Sequence, residues 1–120
     1  MHSRRIKNNW HIIKGQPLTE LDKKVLYYQN KGHLVPPRKL IKTAEQIEGI
    51  RRSSVVNTGV LDLVAREIKA GMSTAEIDKL VYDYTVSHGA IPAPLNYEGF
   101  PKSVCTSVNE VVCHGIPSED

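Results

Sequence analysis

Two capping boxes, Thr43-Ala-Glu-Gln46 and Ser73-Thr-Ala-Glu76, constrain the fold more than any other feature of this chain. In each, a hydroxyl can accept from the third helical amide while the Gln or Glu side chain reaches back to the cap's own N–H. Behind the first box, apolar residues fall at Ile47, Ile50, Leu61, Val64, Ala65 and Ile68, with Ser54 and Asn57 in the same stripe. Steps of three and four place these on one helical face. Val56, Val60 and Leu63 widen that face, so the helix is expected to be covered on more than one side. Gly71 is expected to end it. Gly59 costs about 1 kcal/mol against alanine inside a helix, which predicts a neighbour in close approach. Behind the second box, Met72 can staple to Ile77, and Ile77, Leu80, Val81 and Tyr84 form one stripe that ends at His88 and Gly89. His88 reads as a helix-terminal residue facing the C-terminal dipole rather than as a ligand.

The part before Thr43 is of another character. Residues 1–18 show no helical period and contain Gly15 and Pro17. Trp10, Ile12 and Ile13 are the candidate anchors of this leader. Thr19 with Asp22 predicts a short helix to about Asn30, stopped by Gly32. Pro36–Pro37 forces extended geometry at Val35 and removes two backbone donors, which predicts a stiff strap. The expected organisation is a basic leader with a Pro-Pro strap over 1–42 and a body over 43–120. Residues 1–42 carry ten Lys/Arg against two acids, giving +8, and residues 43–120 carry six against eleven, giving −5. A basic leader on an acidic body either lies on its own domain or meets an anion such as RNA. No recognised RNA-binding motif accompanies the charges.

The chain has 120 residues, within single-domain range. Cys105 and Cys113 form no CxxC pair, so free thiols in a reducing compartment, the cytoplasm, are expected. No apolar run approaches the ~20 residues of a membrane span, and no apolar segment follows the basic start as in a secretory signal. No membrane partner is expected.

Residues 90–95 hold two prolines and cannot form a central strand. An aromatic turn at Tyr97, Phe100 and Pro101 then leads into two strand-like runs, Ser103–Val108 and Val111–His114, around a polar corner at Asn109–Glu110. The order of helix, helix, then strands predicts an α/β (α+β) layer pair, two helices packed on the start of an antiparallel sheet. Spacing alone allows a half-buried hairpin with Cys105 and Cys113 as small core residues. His114, followed by Gly115, allows more: an imidazole suits proton transfer near neutral pH, and a glycine lets the backbone turn sharply or a ligand approach closely.

Asn96-Tyr-Glu-Gly-Phe-Pro-Lys-Ser-Val-Cys-Thr-Ser-Val-Asn-Glu-Val-Val-Cys-His-Gly-Ile-Pro117 closely resembles the corresponding segment of type I methionine aminopeptidases, and the resemblance runs back through both helices. It implies the N-terminal part of a pita-bread fold and removal of the initiator methionine from nascent polypeptide N-termini. It also implies two divalent metal ions as cofactors, binding the hydroxide that attacks. His114 matches the family histidine that contacts the scissile amide. Tyr97, Phe100 and Cys105 match residues lining the methionine pocket, which suits a flexible thioether. Asn109 and Val111 match positions whose backbone oxygens bind a monovalent cation in some members. The chain departs from the pattern at Pro94, where many members have cysteine, and at Phe100, where they have tyrosine. The family's metal ligands all match positions beyond Asp120, and Glu119 and Asp120 do not match them. The resemblance thus implies a truncated domain, inactive by itself. The other expectations are a non-catalytic fragment that binds the ribosome or RNA through the basic leader, and a truncated product with no independent function.

Overall fold

The structure, a computed structural model, describes residues 10–120. Arg4, Arg5 and Lys7 of the basic leader lie outside the described residues. The described chain forms three helices, α1 (Glu20–Asn30), α2 (Ala44–Glu67) and α3 (Thr74–Ser87), with single 3-10 turns at Arg38–Leu40 and Tyr97–Gly99. It divides into two compact units, the second being Glu48–Asp120.

In the first unit, α1 opens on a complete capping box. The Asp22 amide donates to Thr19 Oγ1 at 3.1 Å, and the Thr19 amide donates to Asp22 Oδ2 at 2.9 Å. The helix ends at Asn30, ahead of Gly32 at φ +82°. Asp22 does more than cap. It is 4% exposed and also receives the Trp10 indole N–H at 2.9 Å and a hydrogen bond from the Arg38 guanidinium. That guanidinium stacks over the Trp10 ring at 4.5 Å and donates to the His11 carbonyl at 2.9 Å. One buried carboxylate therefore ties the leader, α1 and the segment after Pro36–Pro37 together. Trp10 is the anchor, at 2% exposed; Ile12 and Ile13 stay exposed.

The Thr19 backbone and side-chain hydrogen bonds, then those from Trp10 and Arg38, hold the Asp22 carboxyl well below the usual carboxylate range. A carboxylate depressed in the folded state stabilises above its unfolded pKa, about 3.9, and loses that stabilisation as pH falls below it. Acid titration should therefore release Trp10, the sole tryptophan, and shift its emission to the red progressively as pH falls from about 4 towards the depressed folded-state value of Asp22. Asp22→Asn should show the exposed emission already at neutral pH.

In the second unit, α2 and α3 pack through a glycine. A Cβ on Gly59 would lie 2.1 Å from the Tyr84 hydroxyl oxygen, the close approach expected from the sequence. Val60 and Val81 are buried beside this contact. The capping box at Thr43 and Gln46, which opens α2 within the first unit, is present, with amides and side chains paired at 2.9 and 3.2 Å. So is the box at Ser73 and Glu76, at 2.7 and 3.1 Å. α2 ends at Glu67, short of Gly71, because the segment turns on the Met72 amide to Lys69 carbonyl bond of 3.2 Å rather than continuing the helix. His88 caps α3 as expected, its Nδ1 2.8 Å from the Tyr84 carbonyl and its ring stacked on Tyr84 at 4.0 Å.

The expected strands do not form. Among the described residues there is no strand: the Val111 amide closes a turn on the Val108 carbonyl at 3.1 Å, and beyond it one backbone bond crosses, Thr106 N–H to the carbonyl of Gly115, just past the second run, at 2.9 Å. Asn109 (φ +52°) and His114 (φ +56°) leave the extended region within the paired stretch. A two-stranded ribbon without further neighbours is marginal, so alternation alone does not produce a ladder here.

Candidate functional site

The site is built on the outer side of the first turns of α3. Helix N-termini leave amides without intrahelical acceptors, and the chain's last segment meets them. The Ala75 amide donates to the Ser118 carbonyl at 2.8 Å, and the Ser118 amide donates to Thr74 Oγ1 at 2.8 Å. One turn on, Asp78 Oδ1 accepts from the Ser103 amide at 2.7 Å and the Val104 amide at 3.3 Å. Residues 103–104 and 118 are thereby pinned to one helix, and the segment between them carries the site.

The aromatic turn closes on its own backbone. The Asn96 amide donates to the Phe100 carbonyl at 2.8 Å and the Phe100 amide to the Tyr97 carbonyl at 2.9 Å. Asn96 and Glu98 both take left-handed φ, +63° and +48°, to close it. Asparagine accepts that region readily; glutamate does so less often. The result is a cleft of about 680 Å³ that includes Pro94, Tyr97, Glu98, Phe100, Cys105 and His114 in its lining. That volume lies within the ~300–1,000 Å³ of small-molecule sites. Aromatic and proline walls offer apolar contact, with an imidazole, a thiol and a carboxylate available on the same surface.

Four of the residues singled out in the sequence, Tyr97, Phe100, Cys105 and His114, are thus brought together. Asn109 and Val111 are not: both are exposed at the polar corner, where the Val111 amide closes a turn on the Val108 carbonyl at 3.1 Å. Pro94 and Phe100, the two departures from the family pattern, both line the cleft. Cys105 and Cys113 are free and exposed rather than core residues. Among the described residues, no three His, Cys, Asp or Glu side chains form a group that could hold a metal ion.

The role of Gly115 differs from the one expected. It is His114, not Gly115, that takes the left-handed turn. Gly115 is needed for room: a Cβ there would lie 2.0 Å from the Thr106 carbonyl oxygen and 2.7 Å from its carbon. Non-glycine residues held at unusual φ concentrate at functional sites. Asp78 was not singled out in the sequence, since its partners are backbone amides 25 residues away. Asp78→Ala would leave the buried Ser103 with an unpaired amide, at a cost of about 1–3 kcal/mol. A lowered melting temperature, with Cys105 more reactive to a thiol reagent as its loop loosens, is the expected result.

A family model described as metallopeptidase family M24 matches residues 48–120. Methionine aminopeptidase 1A of Arabidopsis thaliana is 54% identical over 77 residues, 64% of this chain and 19% of the relative. The human mitochondrial methionine aminopeptidase 1D is 51% identical over 77 residues, 64% of this chain and 23% of the relative. Methionine aminopeptidase of Chlamydia trachomatis is 50% identical over 82 residues, 67% of this chain and 28% of the relative. Among solved structures, methionine aminopeptidase from Rickettsia prowazekii is similar with a TM-score of 0.59 and 41% identity, covering 68% of this chain and 34% of that one. The chain spans less than a third of the length of these curated relatives.

Proposed function

This chain belongs to metallopeptidase family M24, and from that membership we propose that it forms the substrate-facing wall of a methionine aminopeptidase, acting on the initiator methionine of nascent polypeptides. The observation that carries this reading is the cleft that gathers Tyr97, Phe100, Cys105 and His114. Tyr97 and Phe100 enclose a thioether side chain between aromatic surfaces, and Cys105 supplies a soft, polarisable contact. His114 hydrogen-bonds the amide beyond that residue and steadies it. In this reading the two runs around Asn109 belong to an antiparallel sheet of the complete pita-bread domain, and Asn109 and Val111 offer carbonyls to a monovalent cation there. The division into a leader over 1–42 and a body over 43–120 is part of the same proposal.

Family M24 is a metallopeptidase family, and divalent metal ions supply its hydrolytic chemistry. The described residues do not fit a two-metal centre, since no three potential ligands come together, His114, Cys105 and Glu98 of the cleft included. The roles assigned to this chain are therefore binding and orientation. Exposed free thiols suit a reducing compartment, and we assign the cytoplasm. Among the described residues, no helix is long and apolar enough to cross a membrane.

The test has two arms. Titrating the 120-residue chain with Met-Ala-Ser should shift the ring resonances of Tyr97 and His114, with weaker shifts for Glu-Ala-Ser. Equal response to both peptides would remove the methionine assignment. The same chain with added Mn²⁺ or Co²⁺ should release no methionine, and metal-dependent turnover would overturn its role as a wall alone.

A second reading rests on the charge of +8 over residues 1–42. It makes the leader a contact for ribosomal RNA, with or without catalysis. Binding to RNA should then weaken steeply with salt, and no binding at low salt would sink it.

A further inference from the structure

We propose that the solvent face of α1 is a binding site for single-stranded RNA, built from Lys24, Tyr27, Tyr28 and Lys31 with His33 beside them. The assignment deepens the RNA reading of the leader and is independent of the aminopeptidase reading. The four α1-stripe residues fall at i, i+3, i+4 and i+7, which is one helical stripe. The stripe is outward: Tyr27 is 54% exposed and Tyr28 42%, and both lysines are exposed. The opposite side of α1 carries buried Asp22 and half-buried Val25, Leu26 and Gln29. The aromatic rings are therefore turned away from the unit's own core.

Their arrangement is specific. Tyr27 and Tyr28 meet edge to face at 5.3 Å and 83°. The His33 ring meets Tyr28 edge to face at 5.5 Å, and the Lys31 ammonium lies 4.4 Å from the Tyr27 ring centre. These contacts cover part of each ring, and the surface that stays exposed on Tyr27 and Tyr28 is what a base would stack on, since every base has a π-face to offer. The two lysines are seven residues apart, or about 10 Å along the helix, so cations flank the stacking platform at both ends. Alternating aromatic surface and positive charge matches a single strand's alternation of base and phosphate. A duplex hides its bases from such a surface. The tyrosine hydroxyls and the His33 imidazole add donors and acceptors that can meet a 2′-hydroxyl, which favours RNA over DNA.

Fluorescence anisotropy of a labelled single-stranded RNA 12-mer, titrated with the full 120-residue chain, tests the site. Tyr27→Ala/Tyr28→Ala should weaken binding by about tenfold or more per ring. Lys24→Gln/Lys31→Gln should reduce the slope of log affinity against log salt by about 1.4. Emission of buried Trp10, on the far side of the Asp22 anchor, reports that each variant is folded. If the alanine pair loses that emission, Tyr27→Leu/Tyr28→Leu keeps the helix and removes the rings. Binding to duplex RNA, single-stranded DNA or heparin as tight as to the 12-mer would overturn the assignment, as would no binding at low salt. Unchanged affinity in both the tyrosine and lysine variants, with binding lost in Lys39→Glu/Lys42→Glu, would overturn this site while leaving the RNA reading of the leader standing.

Discussion

Gly115→Ala is expected to disable the cleft while leaving the helices in place. The new methyl group would fall 2.0 Å from the Thr106 carbonyl oxygen, 2.7 Å from its carbon and 3.0 Å from Ser107 Cα. All three are backbone atoms, so no side chain can swing aside. One of the two runs must move, and with it go the Thr106 N–H to Gly115 carbonyl bond and the Gly115 N–H to Ser107 Oγ bond at 3.2 Å. Overpacking costs typically 1–3 kcal/mol, and each lost hydrogen bond adds about 1 kcal/mol. A loss on the order of 3 kcal/mol would lower the melting temperature by roughly 12–24 °C for a unit of this size. His114 is the adjacent residue, at φ +56°, so its ring is displaced from the cleft by the same movement. Helical circular dichroism should survive, while the response of Tyr97 and His114 to Met-Ala-Ser should vanish. Retention of that response in a Gly115→Ala chain would show that the cleft does not depend on the crossing. Gly115→Ser should be no better, because the obstacle is the Cβ itself.

This result separates what was legible in the sequence from what was not. The capping boxes at Thr43 and Ser73 and the cap at Thr19 were legible because each is a contact across three residues, decided by residue type alone. The close approach at Gly59 was legible as a cost without an evident reason in an otherwise good helix. Trp10 could be expected to anchor the leader, but not its partner: Asp22 looked like a cap, and its second role depends on Arg38, 16 residues on. The strands do not form in this chain. Alternation in Ser103–Val108 describes a segment that can face two ways, and a ladder also needs edges to pair with. Instead the segment is held by Asp78 and by the two bonds that Gly115 makes with Thr106 and Ser107. The residues of the cleft came together, yet the parts that position them did not announce themselves. Asp78 reaches backbone amides, and Gly115 yields to a backbone carbonyl. Neither partner has a residue type to read.

Gly59→Ala should destabilise the second unit although it improves the helix that carries it. In an open helix the exchange would gain about 1 kcal/mol. Here the added Cβ would sit 2.1 Å from the Tyr84 hydroxyl oxygen, 2.8 Å from Cζ and 3.1 Å from Cε1. Tyrosine is a side chain and could in principle tilt away. Its ring, however, is stacked on His88 at 4.0 Å, so tilting loses that stack as well. An overpacking cost of about 1–3 kcal/mol should therefore exceed the propensity gain. A double-mutant cycle decides whether the ring is the cause. Tyr84→Phe removes the hydroxyl but leaves Cζ in the way, and should rescue Gly59→Ala in part. Tyr84→Leu removes the ring and should rescue it further, so that the pair loses less than the sum of the single variants. Thermal unfolding followed by circular dichroism measures each corner. Strict additivity across the cycle would mean that Gly59 is needed for something other than the Tyr84 contact. A stabilised Gly59→Ala single variant would mean that α2 and α3 can separate at this point without cost. Since the same α3 carries Thr74, Ala75 and Asp78, the ties that hold the cleft, loosening at Gly59 should also weaken the peptide response at His114, from a position that touches no part of the site.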